Sequence, residues 1–510
     1  MKIMHAEKVL IRAVFTIILL LLSSLCIAEV HGPVALTVLH LNDFHGRLLP
    51  SLVKSVDEKT PVGGAAFLAQ MIEDERAKNP EGTILLSAGD MFQGSPESNI
   101  FRGEPVIEVM NYLKFDAMAL GNHEFDWGLG PLRRLEASAA FPFLSATVTD
   151  RGGKGIPGIR PFVMLERKGL KIAVIGITTP ETAYTTKPDN VSDLKFLDPV
   201  KVLPGLIRKV KEKGADIVVV LCHSGLDADR RLAGAVGGID LIVGGHSHTA
   251  VMYPERVGKT IIVQAGYYGI YLGVLNLAVD PETGMIHSDT GTKELRTVFA
   301  GPDDRIDRKT AEIVRTYRDR LQDSFASVVG ETSVDLMRID RGESLVGDIV
   351  TDAMRESSGA DIAFLSSGSM RADITKGPIT MEQVFSLLPF DDVLMTMKLT
   401  GKQILRVLEQ SATLEMGLLQ ASGMRVFYKE TGPAGSRVLG ANVGNKPLEM
   451  EQVYRVTVDD FLAAGGDKYV TFKEGKDAVY GDMVRDAFIS YLRRHSPVNP
   501  RIEGRSVAIP

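Results

Sequence analysis

Up to about residue 300, short apolar runs alternate with stretches in which apolar residues recur every three to four positions. The runs within Leu36 to Leu41, Thr83 to Ser87, Phe115 to Leu120, Ile217 to Leu221 and Ile239 to Val243 have the length and β-branched content of buried strands. Ala65 to Ala77 and Pro199 to Lys213 carry the apolar stripe of amphipathic helices. Strands and helices in alternation predict an α/β fold. The alternation breaks around Pro302-Asp303-Asp304, and Arg305 to Phe325 follows as a charged stretch with apolar residues only at positions such as Ile306, Ile313, Val314, Tyr317 and Leu321. That pattern predicts a solvent-exposed linker helix. A second α/β region then begins, with helices expected over Leu345 to Glu356 and Gly401 to Ser411. Its strands are expected over Ile362 to Leu365, Val393 to Leu399, Met424 to Tyr428 and Tyr454 to Val458. The resulting division is a first domain over 29–302, a linker helix over 303–327 and a second domain over 328–510.

Length agrees with this division, since 510 residues exceed what one ordinary core organises. A composition of 45% hydrophobic and 24% charged residues excludes a disordered chain. At the N-terminus, Lys2, Lys8 and Arg12 precede the apolar stretch from Ala13 to Leu22, and Cys26-Ile27-Ala28 offers a small residue at a cut. Residues 1–28 therefore read as a secretory signal peptide, and the mature protein is expected to be exported, periplasmic or extracellular. An uncleaved anchor is the alternative; lipid attachment at Cys26 is disfavoured by the bulk of Leu25. No later stretch has the length and apolarity of a membrane span. Removing the leader leaves 55 basic against 63 acidic residues, a net charge of −8, which argues against a nucleic-acid polymer as partner. Cys222 is then the single cysteine, so no intramolecular disulfide is expected, and its apolar neighbours predict a buried residue. Oligomeric state is left open.

Chemistry concentrates where five of the predicted strands end. The first runs into Asp43 and His45, the second into Asp90, the third into Asn122, the fourth into His223 and the fifth into His246 and His248. Neighbouring strands of one sheet lie about 5 Å apart, so strands finishing at a common edge bring such side chains together. That edge, beyond the carboxyl ends of the strands, is the usual ligand crevice of an open α/β sheet. If Asp90 bridges, these seven residues supply four bonds to each of two divalent ions, with room for a hydroxide and substrate. Imidazole, carboxylate and amide donors without thiolate suit Zn, Mn, Fe, Co or Ni. His123 follows Asn122, and in an extended segment its side chain points the other way, leaving it free for chemistry. Asp126 is placed to orient it; the alternative for Asp126 is a cap on the helix expected after Pro131.

The motifs DFHGR (43–47), GD (89–90), GNHEFD (121–126), CH (222–223) and GGHSH (244–248) resemble those of the calcineurin-like metallophosphoesterases. The C-terminal region extends the resemblance to the exported bacterial 5'-nucleotidase and UDP-sugar hydrolase family. The resemblance implies an N-terminal αββα sandwich and a C-terminal substrate-specificity domain. It implies one metal at Asp43, His45, Asp90 and His248 and a second at Asp90, Asn122, His223 and His246, with His123 and Asp126 as the catalytic pair. It also implies Arg341 and Arg371 on substrate oxygens, Phe390 and Phe461 around a base, and Asp467 on ribose hydroxyls. Without it, both phenylalanines read as core and both arginines as solvated surface. The expected activity is release of phosphate from 5'-nucleotides, with UDP-sugars or 2',3'-cyclic nucleotides as further substrates. A hydrolase of another phosphate or sulfur ester on the same dimetal site, or a metal-stabilised nucleotide-binding surface protein in which hydrolysis is incidental, are the alternatives. Two departures from the family pattern bear on specificity: Ser366 stands where Asn is usual, and Asp391-Asp392 add two carboxylates that would disfavour highly anionic substrates if they face the pocket.

Overall fold

The computed structural model describes residues 32–509, apart from 54, 58, 288–293 and 302–304. The leader, including Cys26, and the break at Pro302-Asp303-Asp304 lie outside the described residues.

The N-terminal half holds two stacked sheets. In the first, the order is Ile286–His287, Tyr271–Val279, Val34–Leu41, Thr83–Ser87, Ala117–Ala119 and Phe143–Leu144, with Leu295–Thr297 also paired to Tyr271–Val279. In the second it is Glu255–Val257, Thr260–Val263, Leu241–Gly244, Ile217–His223, Leu170–Thr178 and Phe162–Arg167. Strand alternation decides which core each residue joins. In Val34–Leu41, Leu36 and Val38 meet Val219, Leu221 and Val243 of the other sheet between the layers. Leu39 and Leu41 face outward onto the helices Ala65–Lys78 and Glu104–Tyr112. Pro199–Glu212 and Leu226–Ala235 cover the far face of the second sheet through Leu203, Ile207 and Leu232. The result is the helix-sheet-sheet-helix sandwich expected from the resemblance.

Arg308–Asp319 is a helix capped by the Asp307 carboxylate, which accepts from Thr310 N at 2.7 Å. It is exposed on some faces only, less so than the solvent-exposed linker helix expected from its pattern. Ile313 and Val314 are buried in the core beneath the helices Ala65–Lys78 and Glu104–Tyr112, and only its other faces are solvated. Tyr317 packs on the same core, so the docking stripe is Ile313, Val314 and Tyr317 on an otherwise charged helix.

The C-terminal half is built on the sheet Gln420–Ser422, Ile362–Leu365, Val453–Asp459, Val393–Thr400 and Lys476–Met483, with helices on both faces. Ala363 and Leu365 pack against Leu345–Ser358, while Ile362 and Phe364 face Ile404 and Val407 of Gly401–Ser411. Thr400 and Gln403 form a reciprocal capping box that starts the latter helix where the sequence places it. A smaller sheet of Lys446–Pro447, Val438–Val443, Met424–Tyr428 and Ser506–Ala508 completes this half.

One polar pair lies inside the sandwich. His40, on the same strand parity as Leu36 and Val38, is fully buried with Nε2 against the Glu294 carboxylate, itself 2% exposed. Removing one member of a buried pair leaves the other without a partner. Glu294→Ala should therefore destabilise the sandwich by about 3–5 kcal/mol, read as a lower urea midpoint. An unchanged midpoint would show that the pair does not anchor this strand.

Candidate metal centre and substrate cleft

All five strands deliver their polar ends to one place, but from two sheets rather than the single sheet assumed from spacing. Val34–Leu41, Thr83–Ser87 and Ala117–Ala119 run parallel in the first sheet, and Ile217–His223 and Leu241–Gly244 run parallel in the second. The stacked layers are stitched at this edge: His223 Nδ1 donates to Ala88 O at 2.8 Å, and Asn42 bonds Gly266 O and Ala265 N.

The convergence requires unusual backbone. Asp43, His45, Asp90, His246 and His248 all have φ between 50° and 75°, a region non-glycine residues seldom occupy and that costs about 1–3 kcal/mol each at functional sites. Gly121 is the position where close approach excludes a side chain, since a Cβ there would fall on the Asp90 carboxylate. Glu124 holds the turn together: its carboxylate accepts from Asp90 N (2.9 Å), Met91 N (2.8 Å) and Gly121 N (2.7 Å). Burial, with the nearby Asp90 charge, pushes Glu124 up to about 7.

Seven side chains meet in two groups. Asp43, His45 and His248 offer one cluster of ligand atoms, and Asp90, His223 and His246 another, each with its atoms within 4.8 Å of one another. Asn122 Oδ1 joins the second at 3.1 Å from His223 Nε2 and 3.0 Å from His246 Nδ1. The donor chemistry can be read from the outer atoms. His45 Nδ1 and His223 Nδ1 each lie 2.8 Å from a backbone carbonyl, which only accepts, so both carry their proton there and turn Nε2 inward as a lone pair. Asp90 Oδ1 accepts from His123 N at 2.9 Å, while Oδ2 faces His223 Nε2 at 3.0 Å. Asp43 Oδ2 accepts from Asn42 Nδ2 (2.7 Å) and His246 N (2.9 Å), while Oδ1 faces His248 Nε2 at 3.3 Å. His45 Nε2 and His248 Nε2 stand 3.2 Å apart. Acceptors facing acceptors are stable only around cations, and the oxygen and nitrogen set fits divalent metals of the zinc and manganese type. Burial disfavours charge on His223, yet the Asp90 carboxylate raises it to about 10; burial would raise Asp43, yet His248 pulls it down to about 2.

His123 stands beside the cage. Asn122 and His123 lie on a tight turn, His123–Phe125, not on an extended segment, so the turn and not strand alternation separates their side chains. His123 Nδ1 is 2.7 Å from Asp126 Oδ2, and Asp126 Oδ1 accepts from Thr186 Oγ1 at 2.6 Å. The capping alternative for Asp126 fails, because the next helix, Leu129–Ser138, starts from Gly128. Burial opposes charge on His123, but Asp126 and Asp90 raise its pKa.

A cleft of about 640 Å³ opens from the cage between the two halves, lined by His123, Arg371, Phe390, Phe461 and Asp467 among others. Phe390 lies 6.1 Å from the His123 ring and 6.0 Å from the Arg371 guanidinium, so the halves meet directly over the site. Asp467 accepts from Ser366 Oγ at 2.7 Å; burial raises it to about 6. Arg341 is exposed and does not line the cleft. It precedes the Ser344-capped helix, in a loop whose Gly342 carbonyl is held by Gln420 Nε2 at 2.8 Å. Asp391 and Asp392 do face the cleft, yet Asp391 is paired with Arg102 (2.8 Å) and Arg485 (3.2 Å), and burial beside Asp459 and Asp460 pushes Asp392 up. Their expected repulsion of anions is thus largely offset.

Three polar residues escaped the sequence reading. Glu124 was inside a quoted motif, but its three backbone partners appear only on folding. Lys187 reaches across the cleft to Asp460. Glu181 contacts His246 Nε2 at 3.2 Å, and that contact lowers it to about 2. Its signal was present: Leu170–Thr178 is a sixth apolar run that ends in a carboxylate, Glu181, at the same edge.

Comparison with known proteins agrees with this geometry. Residues 36–250 match the family described as calcineurin-like phosphoesterase, and 328–474 match the 5'-nucleotidase C-terminal domain. The chain is 32% identical to snake venom 5'-nucleotidase from Crotalus adamanteus, over 93% of this chain and 89% of that protein. It is 30% identical to 5'-nucleotidase from Vibrio vulnificus over 91% of each. The crystal structure of a 5'-nucleotidase precursor from Thermus thermophilus superposes with a TM-score of 0.85 at 33% identity, covering 93% of this chain and 99% of that one.

Glu124→Gln keeps the shape but turns an amide N–H₂ toward backbone N–H donors. It should cost about 2–3 kcal/mol and reduce bound metal per chain, measured by denaturant unfolding and elemental analysis. Wild-type metal content and stability would refute the anchoring role.

Proposed function

The chain belongs to the 5'-nucleotidase family of calcineurin-like phosphoesterases and is a hydrolase, and from that premise we propose that it is an exported dimetal enzyme releasing phosphate from 5'-nucleotides. UDP-sugars and 2',3'-cyclic nucleotides are proposed as further substrates, and Zn, Mn, Co or Fe as the metal. Export rests on the leader in residues 1–28. Among the described residues, no helix is long and apolar enough to cross a membrane. The observation that carries the reading is the inward-facing acceptor cage at the floor of a cleft closed by an aromatic and an arginine.

In this reading, Asp43, His45, Asp90 and His248 hold one ion, and Asp90, Asn122, His223 and His246 the other. Two such ions supply Lewis acidity to a phosphoryl oxygen and a nucleophile from water at neutral pH. The protein's own side chains do the rest. His123, with Nδ1 held by Asp126, is left with Nε2 to donate toward phosphoryl or leaving-group oxygen as charge develops there. Arg371 offers its guanidinium to the phosphate. Phe390 and Phe461 supply apolar faces for a base, and Asp467 accepts from ribose hydroxyls. Arg341, outside the cleft, receives no contact with substrate in this arrangement.

The test is phosphate release from AMP, UMP, UDP-glucose and a 2',3'-cyclic nucleotide after chelation and readdition of single metals. AMP or UMP turnover that vanishes on chelation and returns with one of these metals is expected; failure to hydrolyse any 5'-nucleotide overturns the proposal. His123→Ala should lower kcat by about 100-fold or more, and near wild-type turnover would remove His123 from the mechanism.

A further inference from the structure

Of the cage histidines, His246 is turned the other way round. His45 and His223 donate Nδ1 to the neutral carbonyls of Gln93 and Ala88 and present Nε2 to the interior. His246 instead presents Nδ1, 3.0 Å from Asn122 Oδ1, and directs Nε2 outward to Glu181 Oε2 at 3.2 Å. A carboxylate there accepts only from a protonated Nε2, and that tautomer leaves the Nδ1 lone pair for the cage.

Glu181 is placed for this contact by its own surroundings. It follows the strand Leu170–Thr178 through Thr179 and Pro180, and its carbonyl accepts from Tyr184 N (2.8 Å) and Thr185 N (2.9 Å), closing a turn that fixes the residue at the sheet edge. The Tyr184 hydroxyl neighbours the Glu181 carboxylate and helps, after His246, to hold it below the usual carboxylate range. Above the Tyr184 ring, at 4.9 Å, lies the Lys468 ammonium, which neighbours Asp467 on the C-terminal wall of the cleft. The Glu181 side chain remains 47% exposed, so its contact with His246 is not forced by core packing.

We propose that Glu181 is a positioning residue for the metal held by Asp90, Asn122, His223 and His246, setting the tautomer and ring orientation of His246. The proposal rests on the two-ion reading of the cage. A carboxylate behind a ligating imidazole raises its basicity, and loss of such a partner weakens metal binding by about 10–100-fold. The two ions should therefore respond unequally, because His45, Asp43 and His248 make no contact with Glu181 among the described residues.

The experiment is competition of full-length wild type, Glu181→Ala and Glu181→Gln against a chelator of known zinc affinity, with thermal melting as a fold control. Wild type is expected to bind two zinc ions. Glu181→Ala should bind one with unchanged affinity and the other about 10–100-fold more weakly. Glu181→Gln, whose amide oxygen still accepts from Nε2–H, should recover most of the loss. Turnover of Glu181→Ala should rise toward wild type as zinc is raised, with substrate KM unchanged. Two wild-type affinities in Glu181→Ala, or equal weakening of both sites, would overturn this inference alone. A wild-type chain that binds fewer than two ions would overturn the two-ion reading and this inference with it.

Discussion

Like-polarity atoms crowded into a buried space are the constraint around which this protein is organised. Asp43 is fully buried and Asp90 is 2% exposed, and each gives one oxygen to protein N–H donors while the other faces imidazole nitrogens. Such an arrangement is expensive in a low dielectric unless positive charge sits within it. Metal binding and stability are accordingly linked in this fold, since anything that binds only the assembled cage stabilises it.

The scaffold accepts local strain to keep that crowding. Five of the seven cage residues occupy left-handed backbone, and Glu124, spanning Asp90, Met91 and Gly121, holds two of the ligand-bearing turns in register. Both sheets contribute, so their relative placement matters as much as either alone. The bonds from His223 to Ala88 and from Asn42 to Ala265 and Gly266 join the layers where the ligands emerge. Strain of this kind persists because the surrounding hydrogen bonds over-determine it.

The C-terminal half brings different chemistry to the same cavity. Phe390 and Arg371 approach His123, and the polar contacts Arg102 to Asp391, Asn99 to Pro389 and Lys187 to Asp460 hold the halves together around the cleft. Two of these links are charged and one is a buried amide-to-carbonyl bond, so the contact around the cleft is polar in character. The cavity thus has a floor of cage residues from the N-terminal half and a wall carrying Arg371, Phe390 and Phe461 from the C-terminal half.

Much of this was written locally. Apolar runs ending in Asp, Asn or His identified the cage residues, because a strand's side-chain alternation and a ligand's chemistry are both short-range properties. The helices at Leu345–Ser358 and Gly401–Ser411 were legible for the same reason. What the linear chain could not determine was which surfaces meet. That the ligands come from two sheets, that Ile313 and Val314 dock a charged helix, that Arg341 stays outside the cleft while Glu181 reaches His246, and that Asp391 is neutralised by Arg102 and Arg485 all depend on contacts between residues distant in sequence. Those contacts are settled by packing of whole layers, and no local pattern encodes the partner across the gap.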